Sequence, residues 1–281
     1  MTTDVVLVEV ADGVAIITIN RPEARNALDR AVRRGLPRAV AACEADDAVD
    51  VMILTGTDPA FSAGVDLKEI GAGAAAGDDL RSGPPDAAAG AESVDMGGRN
   101  EAGRLPWRGA LPPRTKLLIG AVNGVAVTGG LELALACDFL IASDRARFAD
   151  THARVGVMPG WGLTVLLPQR IGVARAREMS VTGNFIDAQQ AYEWGLVNHV
   201  VPHDQLLPSC RQLAADCRSV DQLAVRRMLS TYDENSLTTT AEAWGIEDRV
   251  SRSWEGSGVD PVEIERRRAG IVARGRDQTR T

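Results

Sequence analysis

The stretch Ala121-Val122-Asn123-Gly124-Val125-Ala126-Val127-Thr128-Gly129-Gly130-Leu131-Glu132-Leu133-Ala134 decides how this chain reads. An apolar strand runs into a glycine turn and then straight into helix-forming residues. Gly129-Gly130 can expose amides at the helix start, where N–H groups have no intrahelical acceptor. Glu132 falls in the first turn, inside the otherwise apolar run LELALAC. There it either complements the helix dipole or stands as a buried carboxylate, which needs a reason and suits acid–base work. The segment Ala60-Phe61-Ser62-Ala63-Gly64-Val65-Asp66-Leu67 follows the same logic. A strand ends at Gly56, small residues follow, and Asp66 is expected to open a helix. Either the backbone approaches a ligand there, or the segment is a tight strand-to-helix turn capped by Asp66.

Outward from these two segments the chain alternates strands and helices. Val5 to Val10 and Val14 to Ile19 read as two strands joined at Ala11-Asp12-Gly13. Further short apolar strands are expected at Val51 to Thr55, Leu117 to Val122 and Phe139 to Ala142. Helical periodicity marks 29–46, 129–137, 162–171, 173–181 and 187–194. This alternation predicts an α/β fold over residues 1–202. From Pro202 on, the pattern is helical near 203–217, 219–231, 236–254 and 260–274, which predicts a C-terminal helical region over 203–281. Residues 71–113, rich in Gly, Ala, Asp and Pro, form either a flexible insertion that acts as a lid or a plain exposed linker.

At 281 residues, with 45% hydrophobic and 25% charged residues, the chain can bury a sizeable core. A net charge of −7 argues against nucleic acid as a main partner, although a few arginines could still hold a small phosphorylated ligand. Cys43, Cys137, Cys210 and Cys217 form no C-x-x-C pair and His is scarce, so neither a metal site nor a disulfide framework is expected. No apolar run is long enough to span a bilayer, and MTTDVVLVEV lacks the pattern of a signal peptide. The expected location is cytoplasmic.

Taken together, the motifs resemble the crotonase (enoyl-CoA hydratase/isomerase) superfamily. The resembling pieces are Asn20-Arg21-Pro22-Glu23-Ala24-Arg25-Asn26-Ala27-Leu28, the Phe61–Asp66 turn, Asn123-Gly124 with Gly129–Ala134, Cys137-Asp138 and Val155-Gly156-Val157-Met158-Pro159-Gly160. Thr182-Gly183 and Ala191–Val197 match as well. The resemblance implies a spiral of ββα repeats followed by a helical trimerisation region, giving homotrimers or dimers of trimers. It implies an acyl-CoA thioester as substrate, with no cofactor beyond the coenzyme A that the substrate carries. By matching positions, the amides of Val65 and Gly129 would form an oxyanion hole, beside Gly130. Coenzyme A contacts would fall at Ala24, Arg25, Ala27, Ala63, Asp66, Leu67 and Lys68. Arg25 would meet a phosphate, or else be a solvated surface residue.

Hydratases of this family use two glutamates, and Glu132 matches the first. Counting along Phe148-Ala149-Asp150-Thr151-His152 places His152 where the second is expected. Three readings compete. His152 substitutes as acid or base, since imidazole titrates near neutral pH. Alternatively Asp150 takes the role, although two positions along an extended segment it is expected to face elsewhere. Finally, His152 is structural and Glu132 acts alone or not at all. The resemblance therefore implies enoyl-CoA hydration, with isomerisation, thioester hydrolysis, decarboxylation or acyl-CoA binding without turnover as rivals. Trp161 either shapes the acyl pocket or packs at a helix start.

Overall fold

The computed structural model describes residues 4–66, 109–255 and 261–278. The expected helix after Asp66, most of the 71–113 segment, and the candidate residues Leu67 and Lys68 lie outside these residues. The last residues of that segment are described. Leu111 is buried in the main core, so its C-terminal end packs rather than running through solvent.

The chain opens with a hairpin, β1 (Val6–Ala11) and β2 (Val14–Ile19), paired antiparallel. Asp12 and Gly13 between them both have positive φ (48° and 69°), as the two-residue type I′ turn requires. After a 3-10 turn at Pro22–Ala24 comes α1 (Arg30–Ala45), whose first turn is capped by Asp29 accepting from the Val32 N–H at 2.8 Å. The next strands are β3 (Val51–Gly56) and β4 (Ala60–Ser62). They are followed by β5 (Leu117–Val122), β6 (Val125–Val127) and α2 (Gly129–Leu135). The motif repeats in β7 (Phe139–Ser143), β8 (Arg147–Ala149) and α3 (His152–Val155). Then come α4 (Leu163–Ile171), α5 (Val173–Thr182), β9 (Ile186–Asp187), α6 (Ala188–Trp194), β10 (His199–Val201) and α7 (Leu206–Arg218).

The first strand of each repeat enters a six-stranded sheet of order β1-β2-β3-β5-β7-β10, parallel from β2 onward. The second enters a smaller sheet of order β4-β6-β8-β9. The expected spiral of ββα units is thus visible as two sheets filled in step. β3 and β5 are buried along their whole length, as strands covered on both faces must be. Alternation along β2 then sorts the core. Ala15, Ile17 and Ile19 face α1, while Val14 and Ile16 face Leu206, Cys210 and Ala214 of α7. Strands β4, β6, β8, β9 and β10 are only two or three residues long, too short to show the apolar runs that mark the longer strands.

One motif of the resemblance, Cys137-Asp138, and one residue outside it, Lys116, prove architectural. Asp138 accepts from the Leu118 N–H at 2.7 Å and pairs with Arg114 at 2.9 Å, closing the start of β5. Lys116, almost fully buried, donates to the carbonyls of Cys43 and Asp46 at 2.9 and 2.7 Å and so satisfies the C-terminal end of α1.

The chain divides into two compact units, Met1–Leu229 and Ser230–Thr281. The division falls inside α8 (Gln222–Asn235), because α7 is built into the sheet core. The second unit holds α9 (Thr240–Glu255) and α10 (Pro261–Gln278). A reciprocal cap starts α9: Thr239 N–H donates to Glu242 and Glu242 N–H to Thr239 Oγ1, at 3.1 and 3.4 Å. Trp244 is largely exposed within this unit. Among the described residues, no helix is long and apolar enough to cross a membrane, and no group of His, Cys, Asp and Glu could hold a metal ion.

Candidate active site

The small sheet positions the site. β4, β6 and β8 lie side by side and parallel, and each delivers a candidate residue just past its C-terminal end: Val65 after β4, Gly129 after β6 and His152 after β8. Residues distant in sequence therefore converge at one edge, the end of a parallel sheet at which ligands commonly bind.

The approach of the first two is enforced by glycine. Gly64 has φ +83°, and a Cβ there would stand 2.8 Å from the Val127 carbonyl oxygen and 3.2 Å from Gly129 N. A Cβ on Gly129 would stand 3.4 Å from Val65 N, and one on Gly130 only 2.2 Å from the Ser62 carbonyl oxygen. Ser62 Oγ accepts from Gly64 N–H at 3.2 Å and donates to the Asn26 carbonyl at 2.8 Å. Among the described residues, neither the Val65 nor the Gly129 amide donates to a protein acceptor. Two neighbouring amides are thus open to a ligand oxygen. Thr128, just before them, has φ +55°, a conformation that costs a β-branched residue energy and is characteristic of functional turns.

Glu132 is buried one helical turn further on. Its Oε1 accepts from Trp161 N–H at 2.7 Å and, more weakly, from Leu163 N–H at 3.4 Å. Its Oε2 lies 3.5 Å from His152 Nε2. The other imidazole nitrogen, Nδ1, meets Asp150 Oδ1 at 2.6 Å, and that oxygen also accepts from His152 N–H at 3.1 Å. The result is a buried carboxylate–imidazole–carboxylate chain. Burial by itself would lower the pKa of His152, but the hydrogen bonds and charges of Asp150 and Glu132 outweigh it and raise the pKa to about 9. For Asp150, burial pushes the pKa up, while hydrogen bonds from His152 and Ser180 hold it, on balance, below the ordinary carboxylate value. At neutral pH His152 is an imidazolium. Its raised pKa stabilises the fold fully below about pH 6.5, and this contribution is lost as pH rises through about 9. Asp150 thus stands behind the His152 ring, on Nδ1, while Glu132 stands at Nε2. The chain leaves the extended conformation at Thr151 (φ −106°, ψ 12°) and turns into α3.

The enoyl-CoA hydratase/isomerase family model matches residues 9–87 and 107–255. The chain belongs to the enoyl-CoA hydratase/isomerase family. It is 35% identical to a probable peroxisomal enoyl-CoA hydratase 1 of Arabidopsis thaliana over 94% of this chain and 91% of that protein. It is 33% identical to the crotonyl-CoA hydratase of Syntrophomonas wolfei over 88% of each. The crystal structure of an enoyl-CoA hydratase from Mycobacterium smegmatis matches with a TM-score of 0.70 at 43% identity, covering 91% of this chain and all of that one.

The remaining positions picked out by the enoyl-CoA hydratase/isomerase resemblance sort by their contacts. Ala24, Arg25 and Ala27 lie on the turn before α1, which is laced to the Gly64 loop. Ala63 N–H donates to the Arg25 carbonyl at 2.9 Å and Leu28 N–H to the Gly64 carbonyl at 2.8 Å. The Arg25 side chain is exposed, Ala27 is buried and Ala63 is half-buried. Asp66 pairs with Arg21 at 3.6 Å. Trp161 sits against the site, its ring 3.3 Å from where a Gly129 Cβ would be. Cys137 and Cys210 are excluded as nucleophiles, because burial pushes both thiols up to about 12. Sequence reasoning missed the influence of Ser180 on the Asp150 carboxyl, since a serine on α5 carries no local signal of what it acts on.

The close approach at Gly130 makes a direct prediction. Gly130→Ala drives a methyl into the Ser62 carbonyl, and the Ser62–Val65 loop must retreat from α2. Overpacking of this kind costs about 1–3 kcal/mol. The expected result is a lowered thermal midpoint together with a loss of acyl-CoA turnover larger than the stability change explains. A variant with wild-type midpoint and turnover would show that the loop tolerates the displacement.

Proposed function

We propose that this chain is an enoyl-CoA hydratase that adds water across the 2,3 double bond of an enoyl-CoA thioester. The observation that carries the reading is the pair of open amides at Val65 and Gly129 one helical turn from the buried Glu132–His152 pair. When water attacks the β-carbon, negative charge develops on the thioester oxygen. Two preorganised N–H donors aimed at that oxygen lower the barrier, each contributing on the order of 3–4 kcal/mol in comparable oxyanion holes. Glu132 acts as base toward the water, and His152 supplies the proton to the α-carbon. The Trp161 indole, packed on Gly129, bounds the acyl side of this space.

The coenzyme A part contacts Ala24, Arg25, Ala27, Ala63 and Asp66, with the exposed Arg25 guanidinium offered to a phosphate, and the resemblance assigns Leu67 and Lys68 to it as well. The acyl-CoA thioester brings the only coenzyme the reaction uses. The reading carries no role for nucleic acid or a membrane, and it places the enzyme in the cytoplasm. Exposed apolar residues of the second unit, Trp244, Ile264 and Ile271, support assembly into homotrimers or dimers of trimers.

The test is a substrate panel. Purified protein is offered crotonyl-CoA, a 3-enoyl-CoA, a saturated acyl-CoA and malonyl-CoA. The expected result is loss of the enoyl absorbance with formation of 3-hydroxyacyl-CoA from the first alone. Double-bond migration in the 3-enoyl-CoA, free thiol release or decarboxylation, in place of hydration, would overturn the reading. Isomerisation is the second reading. It is favoured by His152, since one shuttling base beside an oxyanion hole is enough to move a double bond.

A further inference from the structure

The substituted acid comes with a partner of its own, and the partner decides which nitrogen carries the chemistry. We infer that Asp150 is a positioning residue: its carboxylate holds His152 by Nδ1, so that Nε2 is the atom that gives and takes the proton opposite Glu132. The inference rests on the hydration reading above.

The geometry supports it in three ways. Asp150 Oδ1 grips both the ring nitrogen, at 2.6 Å, and the backbone N–H of His152, at 3.1 Å, so one oxygen fixes both the ring and the chain that bears it. Asp150 is itself buried, so its carboxylate is shielded from solvent where it holds the ring. Glu132 is anchored by backbone donors to Oε1, which leaves Oε2 facing Nε2. The charged groups acting on the ring are Glu132 from α2 and Asp150 from its own segment. From α5 comes the neutral Ser180, acting through Asp150. A carboxylate at Nδ1 keeps that nitrogen protonated in both charge states of the ring. Neutral His152 is then an acceptor at Nε2, and charged His152 is a donor there.

The proton balance closes with these groups alone. The water oxygen bonds to the β-carbon while its proton passes to Glu132 Oε2. The π pair moves toward the thioester oxygen to give an enolate. The enolate then takes the Nε2 proton of His152 at the α-carbon and the thioester carbonyl reforms. Glu132 is left protonated and His152 neutral. Transfer from Oε2 to Nε2, the two atoms 3.5 Å apart in the free protein, restores the starting pair.

The chain has three histidines, His152, His199 and His203, so their ring nitrogens can be resolved by 15N NMR. In the wild type, the ring that titrates near 9 is expected to be Nδ1-protonated when neutral. An Nε2-protonated neutral ring would overturn the inference without any variant being made. In Asp150→Asn, which keeps an acceptor at the same place but removes the charge, the titration of that ring is expected to fall by at least about one pH unit. The basic limb of the kcat profile for crotonyl-CoA hydration should move down with it, with kcat reduced about 10-fold or more and KM within about threefold. A lower kcat with titration and basic limb both unmoved would make Asp150 merely structural. If the wild type hydrates no enoyl-CoA, the hydration reading fails, and the titrations still decide what Asp150 does to His152.

Discussion

Glu132→Gln lowers the kcat of enoyl-CoA hydration by about 10²–10⁴-fold, the range set by loss of a positioned general base, while the protein stays folded. The amide oxygen of glutamine can take over the place of Oε1 and keep accepting from the Trp161 N–H, now 2.7 Å away. The amide nitrogen then falls where Oε2 faced His152 Nε2 at 3.5 Å. It cannot accept a proton from water, and it sets a donor against a donor. Two effects therefore add: the base is lost, and one of the two carboxylates that keep His152 charged is gone. Steady-state kinetics on crotonyl-CoA across pH 6–10, with a thermal melt beside them, check this. A kcat within threefold of wild type would sink the assignment of Glu132, and with it the division of labour between Glu132 and His152.

The second large effect is expected far from any reacting atom. Asn26 is completely buried and makes three hydrogen bonds that join separate parts of the chain. Its Nδ2 donates to the carbonyls of Thr57 and Ala60 at 2.7 and 2.6 Å, and its Oδ1 accepts from Arg21 N–H at 2.9 Å. It also sits in the left-handed region (φ 55°), which asparagine tolerates better than most residues. Asn26→Ala leaves three backbone groups without that partner, at about 1–3 kcal/mol each where they stay dry, and removes a residue suited to the turn. A loss of about 3–5 kcal/mol is expected, or a fall on the order of 10 °C in thermal midpoint for a unit of this size. Because the same turn carries Arg25, whose carbonyl holds Ala63 N–H, KM for acyl-CoA should rise in whatever fraction remains folded. Calorimetry and a KM measurement below the midpoint check both parts. A midpoint within 2 °C of wild type would mean that water replaces the side chain at this turn.

The two residues differ in how visible they were beforehand. Glu132 stood out because a carboxylate inside LELALAC breaks an apolar run. Asn26 could be placed only inside a motif, because a buried asparagine and a surface one are written with the same letter. The glycines at 64, 129 and 130 were legible as turns. That a methyl at Gly130 would strike the Ser62 carbonyl, more than sixty residues earlier, was not. The end of the first compact unit, at Leu229, was not legible for a similar reason. α7 looks like the other C-terminal helices in sequence, but its Leu206, Cys210 and Ala214 happen to meet Val14, Ile16 and Ile53 across the sheet.

By itself, the sequence determined the α/β alternation, the glycine turns at Gly64 and Gly129-Gly130 and the carboxylate of Glu132 inside an apolar run, because each follows from neighbours within a few residues; His152 stood out only against the pattern of the family the chain resembles. Only the tertiary structure decided that β4, β6 and β8 run side by side, which brings Val65, Gly129 and His152 to one edge. It alone decided that Asp150 meets Nδ1 of His152 while Glu132 meets Nε2, because the chain bends at Thr151 and a side chain's direction beyond a bend is set by what packs around it. Local pattern specifies which elements form. Which groups end up within a hydrogen bond of each other depends on contacts between elements, and those are energies of packing that no short window of sequence contains.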